Sequence, residues 1–83
     1  MYSVYILRDS ASRHYFGMTA DLTARLQQHR SGGTQTTRRM QGELTLVIHR
    51  DFPSQREALL MERKLKSWKN PTKAISFLST LAG

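Results

Sequence analysis

A chain of 83 residues has room for one domain, residues 1–83, built around one small core. Its 39% hydrophobic content suits a folded chain, and the absence of cysteine excludes disulfides, thiolate zinc sites and cysteine nucleophiles. Thirteen Lys and Arg against six Asp and Glu give a net charge of +7, a positive field that favours phosphate backbones as partners. No apolar run approaches the roughly 20 residues of a membrane span. Tyr2 to Leu7 is too short for a signal peptide, has no basic region before it and is interrupted by Arg8-Asp9. Nucleic acid is therefore the expected partner, with no membrane, and the cytoplasm the expected location.

In chain order, Ser3-Val4-Tyr5-Ile6-Leu7 is aromatic and β-branched and predicts a strand. Asp9-Ser10-Ala11-Ser12 is a turn cluster, after which His14 to Met18 returns as an antiparallel partner. Asp21 to Arg30 predicts a helix, with Leu22, Leu26 and His29 recurring on one side and Thr19 or Asp21 available as cap. Ser31-Gly32-Gly33 ends it, and Thr34 to Gly42 reads as a mobile basic loop carrying Arg38 and Arg39. Leu44 to His49 is the third strand, mostly apolar and therefore expected to be central and buried.

Ser54 with Glu57 three residues later has the form of a capping box, opening a helix that runs to about Trp68. Asn70-Pro71 opens the last helix, with Ala74, Ile75, Leu78 and Leu81 as its inward stripe. The order β-β-α-β-α-α predicts an α+β fold: a small three-stranded antiparallel sheet flanked by three helices.

Two helices carry an ionisable residue where a plain core would not place one. Ala58, Met61, Leu65 and Trp68 define an inward stripe, and Glu62 falls between Ala58 and Leu65 on the same side. Such a carboxylate either pairs with an Arg or Lys or holds a divalent metal. Arg25 lies beside His29 at the edge of the preceding helix's stripe. It can snorkel into water or grip a phosphate. Tyr5 and Tyr15 on neighbouring strands read as cross-strand packing. Gly17 in a strand marks close backbone approach or a bulge.

Ser3-Val4-Tyr5, then Tyr15-Phe16-Gly17, Met18-Thr19, the run Asp21 to His29, Gly42-Glu43-Leu44, Glu57-Ala58 and Glu62 to Trp68 together resemble the GIY-YIG nuclease superfamily over essentially the whole chain. More narrowly, the chain looks like the small stand-alone bacterial GIY-YIG proteins labelled endonucleases. The resemblance implies a metal-dependent DNA endonuclease of low sequence specificity, working with one Mg²⁺ or Mn²⁺. It implies that Tyr5 and Tyr15 are the two motif tyrosines, Arg25 the essential arginine, Glu62 the metal ligand and His29 a residue near the site, with Gly17 structural. Tyr5 is the first choice for accepting the water proton, which requires a cation to lower its pKa. His29 can relay the proton, and Tyr15 can orient water or phosphate.

Thr37, Arg38, Arg39, Lys64 and Lys66 are the expected nucleic-acid contacts, and a weak homodimer is allowed. The loop carries Thr36 where relatives often place a tyrosine, so it lacks an aromatic surface for stacking a base. The competing readings are a non-catalytic nucleic-acid-binding module on the same fold and a basic protein-interaction module built on Arg63 to Lys69.

Overall fold

The computed structural model describes residues 1–30 and 43–81. The elements are β1 (Tyr2–Arg8), β2 (His14–Thr19), α1 (Leu22–Arg30), β3 (Thr45–Phe52), α2 (Gln55–Ser67) and α3 (Pro71–Thr80). The α+β class and the element order are those that the sequence predicts. The proposed end of α1 and the loop with Thr36, Thr37, Arg38 and Arg39 lie outside the described residues.

Local chemistry explains each boundary. At the hairpin, the Asp9 carboxylate accepts the backbone N–H groups of Ala11 and Arg13 through Oδ1 and pairs with Arg13 Nε at 3.1 Å. Ser12 takes a φ of 64°, the left-handed geometry the turn needs. Asp21, rather than Thr19, caps α1: its Oδ1 accepts from Ala24 N, while Thr19 Oγ1 holds the Asp21 N–H. Ser54 Oγ accepts from Glu57 N and donates to Glu57 Oε2, so Ser54 is the predicted N-cap of α2, with the Glu57 carboxylate on its hydroxyl where a full capping box would hold its backbone N–H. Asn70 Oδ1 accepts from Lys73 N with Pro71 in the first turn of α3.

The strand order is β2-β1-β3, all antiparallel. The third strand is therefore an edge strand, and the expectation that it is central and buried is wrong. The strand extends past His49 through Arg50 and Asp51, whose charges suit an edge, and no residue from Thr45 to Phe52 is fully buried. β1 holds the centre because it pairs along both edges, and its run Val4 to Leu7 is buried throughout. Between Ile6 and Leu7 the pairing with β3 shifts by one residue, leaving Val47 unpaired as a bulge.

The hydrophobic core lies on one face of the sheet. Val4 and Ile6 meet Ala58 and Leu65 of α2 and Ala74 and Leu78 of α3, and Phe16, Met18, Met61 and Trp68 pack around them. Strand alternation sends Tyr5 and Leu7 to the opposite face, which positions the candidate site.

Candidate active site

Gly17 stands directly opposite Tyr5 in the β1–β2 pairing. A Cβ on Gly17 would sit 2.5 Å from the Tyr5 hydroxyl oxygen and 2.6 Å from Cζ, so the phenol ring lies across the strand through the space that glycine leaves. The close approach expected from a glycine within a strand is thus the approach of this ring. Tyr15 pairs with Leu7, which places it diagonally from Tyr5 on the same face, with ring centroids 6.3 Å apart.

His29 in the last turn of α1 completes an aromatic cluster. It is buried, its ring centroid is 5.0 Å from Tyr15 and 5.8 Å from Tyr5, and its Nε2 is 2.9 Å from the Tyr5 hydroxyl. Helical spacing sets Arg25 one turn earlier on the neighbouring edge of α1. Its charge reaches both partners of that hydrogen bond. It opposes protonation of His29, whose pKa burial and Arg25 together hold below the usual value, and it favours ionisation of Tyr5. Glu62 acts on Tyr5 in the opposite sense from α2. Tyr15 and His29 thus stand around the Tyr5 phenol, and the charges of Arg25 and Glu62 act on it.

The net effect on Tyr5 runs against the sequence reading. Burial is the largest influence and raises the phenol pKa well above its ordinary 10. Tyr15 and Glu62 add to the rise, and Arg25 only partly offsets it. The protein by itself thus stabilises a neutral Tyr5 phenol rather than a phenolate, because the hydroxyl is withdrawn from water beside other electron-rich oxygens.

Glu62 is mostly buried, and its Oε1 lies 2.9 Å from Lys66 Nζ, one turn further along α2. Both readings of the carboxylate stay compatible with this geometry, since an exposed lysine head can leave at little expense. Among the described residues there is no group of three or more His, Cys, Asp or Glu able to cage a metal. One carboxylate fits a hydrated Mg²⁺ or Mn²⁺ that keeps several waters and takes further oxygens from phosphate, and it does not fit a closed zinc centre.

The two lysines grouped as nucleic-acid contacts part company. Lys66 borders Glu62. Lys64, on the other side of α2, has its Nζ 4.8 Å from the Phe77 ring centroid and 5.9 Å from that of Trp68. Lys73 lies 4.6 Å from the Trp68 centroid, so this second cluster packs α2 against α3 away from Tyr5. Sequence reasoning named Lys66 without its partner, although Glu and Lys four apart on a helix are a recognisable signal.

The family described as the GIY-YIG catalytic domain matches residues 1–75. A UPF0213 protein of Yersinia pestis (strain Pestoides F) is 36% identical over 66 residues, covering 80% of this chain and 70% of that protein. A UPF0213 protein of Yersinia pseudotuberculosis serotype O:1b matches to the same extent. Among solved structures, the solution NMR structure of a UPF0213 protein from Bacillus halodurans superposes with a TM-score of 0.59 at 32% identity, covering 100% of this chain and 88% of that one.

Proposed function

The chain belongs to the GIY-YIG catalytic-domain family, a nuclease family, and from that premise we propose that it is a metal-dependent endonuclease that hydrolyses DNA phosphodiester bonds. The observation that carries this reading is the convergence on one hydroxyl: Tyr5 is hydrogen-bonded to His29 and acted on by the opposite charges of Arg25 and Glu62. A purely structural tyrosine in a strand needs no such surroundings.

Each residue then has a separate task. Arg25 grips a non-bridging phosphate oxygen and stabilises the charge that grows in the transition state. Glu62 would hold a divalent ion, which when bound would supply charge neutralisation for phosphodiester hydrolysis. With Glu62 holding an ion, Lys66 would lose its partner and turn to a phosphate.

The proton route follows from the shifted acidities. Tyr5 holds its proton and His29 is neutral, so we assign the Tyr5 O–H as donor and Nε2 of the imidazole as acceptor. As water attacks phosphorus, Tyr5 takes its proton while passing its own to His29. Tyr5 ends neutral and His29 ends as an imidazolium beside a newly bound phosphate. This relay avoids the buried phenolate that a lone tyrosine base would require. Tyr15, in edge contact with His29, steers the ring and the entering water.

The test is incubation of the protein with labelled single-stranded, duplex and flap DNA and with RNA, in Mg²⁺, Mn²⁺ or EDTA. Arg25→Ala and Glu62→Ala are run alongside. Cleavage of at least one DNA substrate that needs metal and disappears in both variants is expected. Binding without cutting in any metal would replace this proposal with a non-catalytic nucleic-acid-binding module.

A further inference from the structure

Against Arg25 lies a hollow of about 380 Å³ whose other lining residues have no part in the mechanism. It is lined by Tyr2 and Met18, from the ends of adjacent strands β1 and β2 where they also pack against the core, by Ala24, Arg25 and Gln28 of α1, and by Gln55 at the start of α2. Asp21 also borders it, with Oδ1 committed to the Ala24 N–H.

Two periodicities tie this hollow to the site. On α1, Asp21, Ala24 and Gln28 share one edge, and Arg25 lies between that edge and His29. On α2, Gln55 and Glu62 are seven residues apart and so share a stripe, about 10 Å from one another along the axis. A phosphate held by Arg25 therefore has the hollow as its neighbour.

The lining is chemically specific. Tyr2 and Met18 offer an aromatic ring and a polarizable thioether, surfaces on which a flat ring stacks. Gln28 and Gln55 carry amides, which both donate and accept, as the edge of a nucleobase does. Arg25 adds a cation to the lining, which suits a sugar–phosphate. A bare anion would have no use for the apolar side chains, and an aliphatic ligand none for the amides.

We propose that this hollow receives the base of the nucleotide next to the scissile phosphate, so that the enzyme acts on unpaired nucleotides. The inference rests on the nuclease reading for the identity of the strand, and of the residues it uses only Arg25 is shared with that mechanism. A base within a duplex would have to leave its stack to enter, whereas a base in a single strand, flap or frayed end is already available.

The test uses fluorescently labelled single-stranded DNA in EDTA, with an abasic site moved along the strand one position at a time. Loss of the base at one particular position should weaken binding roughly tenfold, the scale of one stacked base, while other positions matter little. Ala24→Leu fills the hollow from an exposed helical position that tolerates leucine, and removes no core side chain. It should weaken binding of the intact strand by a similar factor and leave the abasic strand unaffected.

Equal binding of all abasic strands, an Ala24→Leu protein that still discriminates them, or no measurable binding would each overturn the subsite. Metal-dependent cleavage without any sensitivity to abasic position would overturn the subsite and leave the nuclease reading standing. Position-sensitive binding with no cleavage in Mg²⁺ or Mn²⁺ would do the reverse.

Discussion

Val4 and Ile6 leave β1 on one side and Tyr5 and Leu7 on the other, and all four are at most 1% exposed. The first pair enters a core of aliphatic and aromatic side chains from α2 and α3, where only volume and shape have to match. On the opposite face, Tyr5 meets Gly17, His29, Tyr15 and two charges of opposite sign. Equal burial thus has opposite consequences. On the core face it stabilises, and on the other it withdraws ionisable groups from water and shifts their proton affinities.

The largest expected effect separates the faces by activity. Arg25→Ala should lower kcat by roughly 10²–10³, the scale of losing one preorganised donor to a developing charge. It should hardly move the melting temperature, because Arg25 is not among the residues packed in the core. A large fall in melting temperature with unaltered kcat would erase the distinction. Leu65→Ala is the converse: about 2–5 kcal/mol of stability lost in urea unfolding, with kcat of the folded fraction unchanged.

Gly17→Ala tests where the faces meet. The added methyl needs the space of the Tyr5 ring, so stability should fall by about 1–3 kcal/mol and activity with it. Tyr5→Phe removes the hydroxyl, the nearest atom to the added methyl, but leaves Cζ at 2.6 Å, so Gly17→Ala/Tyr5→Phe should regain part of the melting temperature and none of the activity. If the double variant is no more stable than Gly17→Ala, the clash is not with the phenol hydroxyl.

Protonation gives a smaller and graded effect. The pKa of His29 is lowered in the folded protein, so the unfolded chain binds the proton more readily. The stability it contributes is present above about pH 6.5 and is lost as pH falls through that value towards the lower folded pKa. His29→Gln should flatten this limb of the stability–pH curve in denaturant titrations, and an unaltered limb would assign it to other groups.

The smallest effect concerns Lys66. Its head is half exposed, so its pair with Glu62 is worth at most about 1 kcal/mol. Lys66→Met should raise Mn²⁺ affinity, read by electron paramagnetic resonance of the free ion, by no more than roughly fivefold. An unchanged or weaker affinity would mean that Lys66 does not compete with a cation for Glu62.

Local signals in the sequence accounted for most of the fold. Ser54-Glu57, Asn70-Pro71 and the stripes of α2 and α3 act within a few residues, and the helices form where these signals stand. The placement of β3 failed because the strand was read from its apolar half, and edge or centre depends on which strand pairs on both sides. The candidate residues were legible partly as anomalies on a pattern, Glu62 and Arg25 on helices and Gly17 in a strand, and partly through the family resemblance.

By itself, then, the sequence determined the elements, their caps and the buried stripes, because each depends on neighbours a few positions away, and it named five residues with chemistry to offer through local anomalies and the family resemblance. Only the tertiary structure decided that Tyr5 sits over Gly17 with its hydroxyl on His29, and that burial outweighs Arg25 in setting its acidity. Those outcomes depend on the register between strands and on which helix edge meets which face. They also depend on how far each group is withdrawn from water, none of which is written in local spacing.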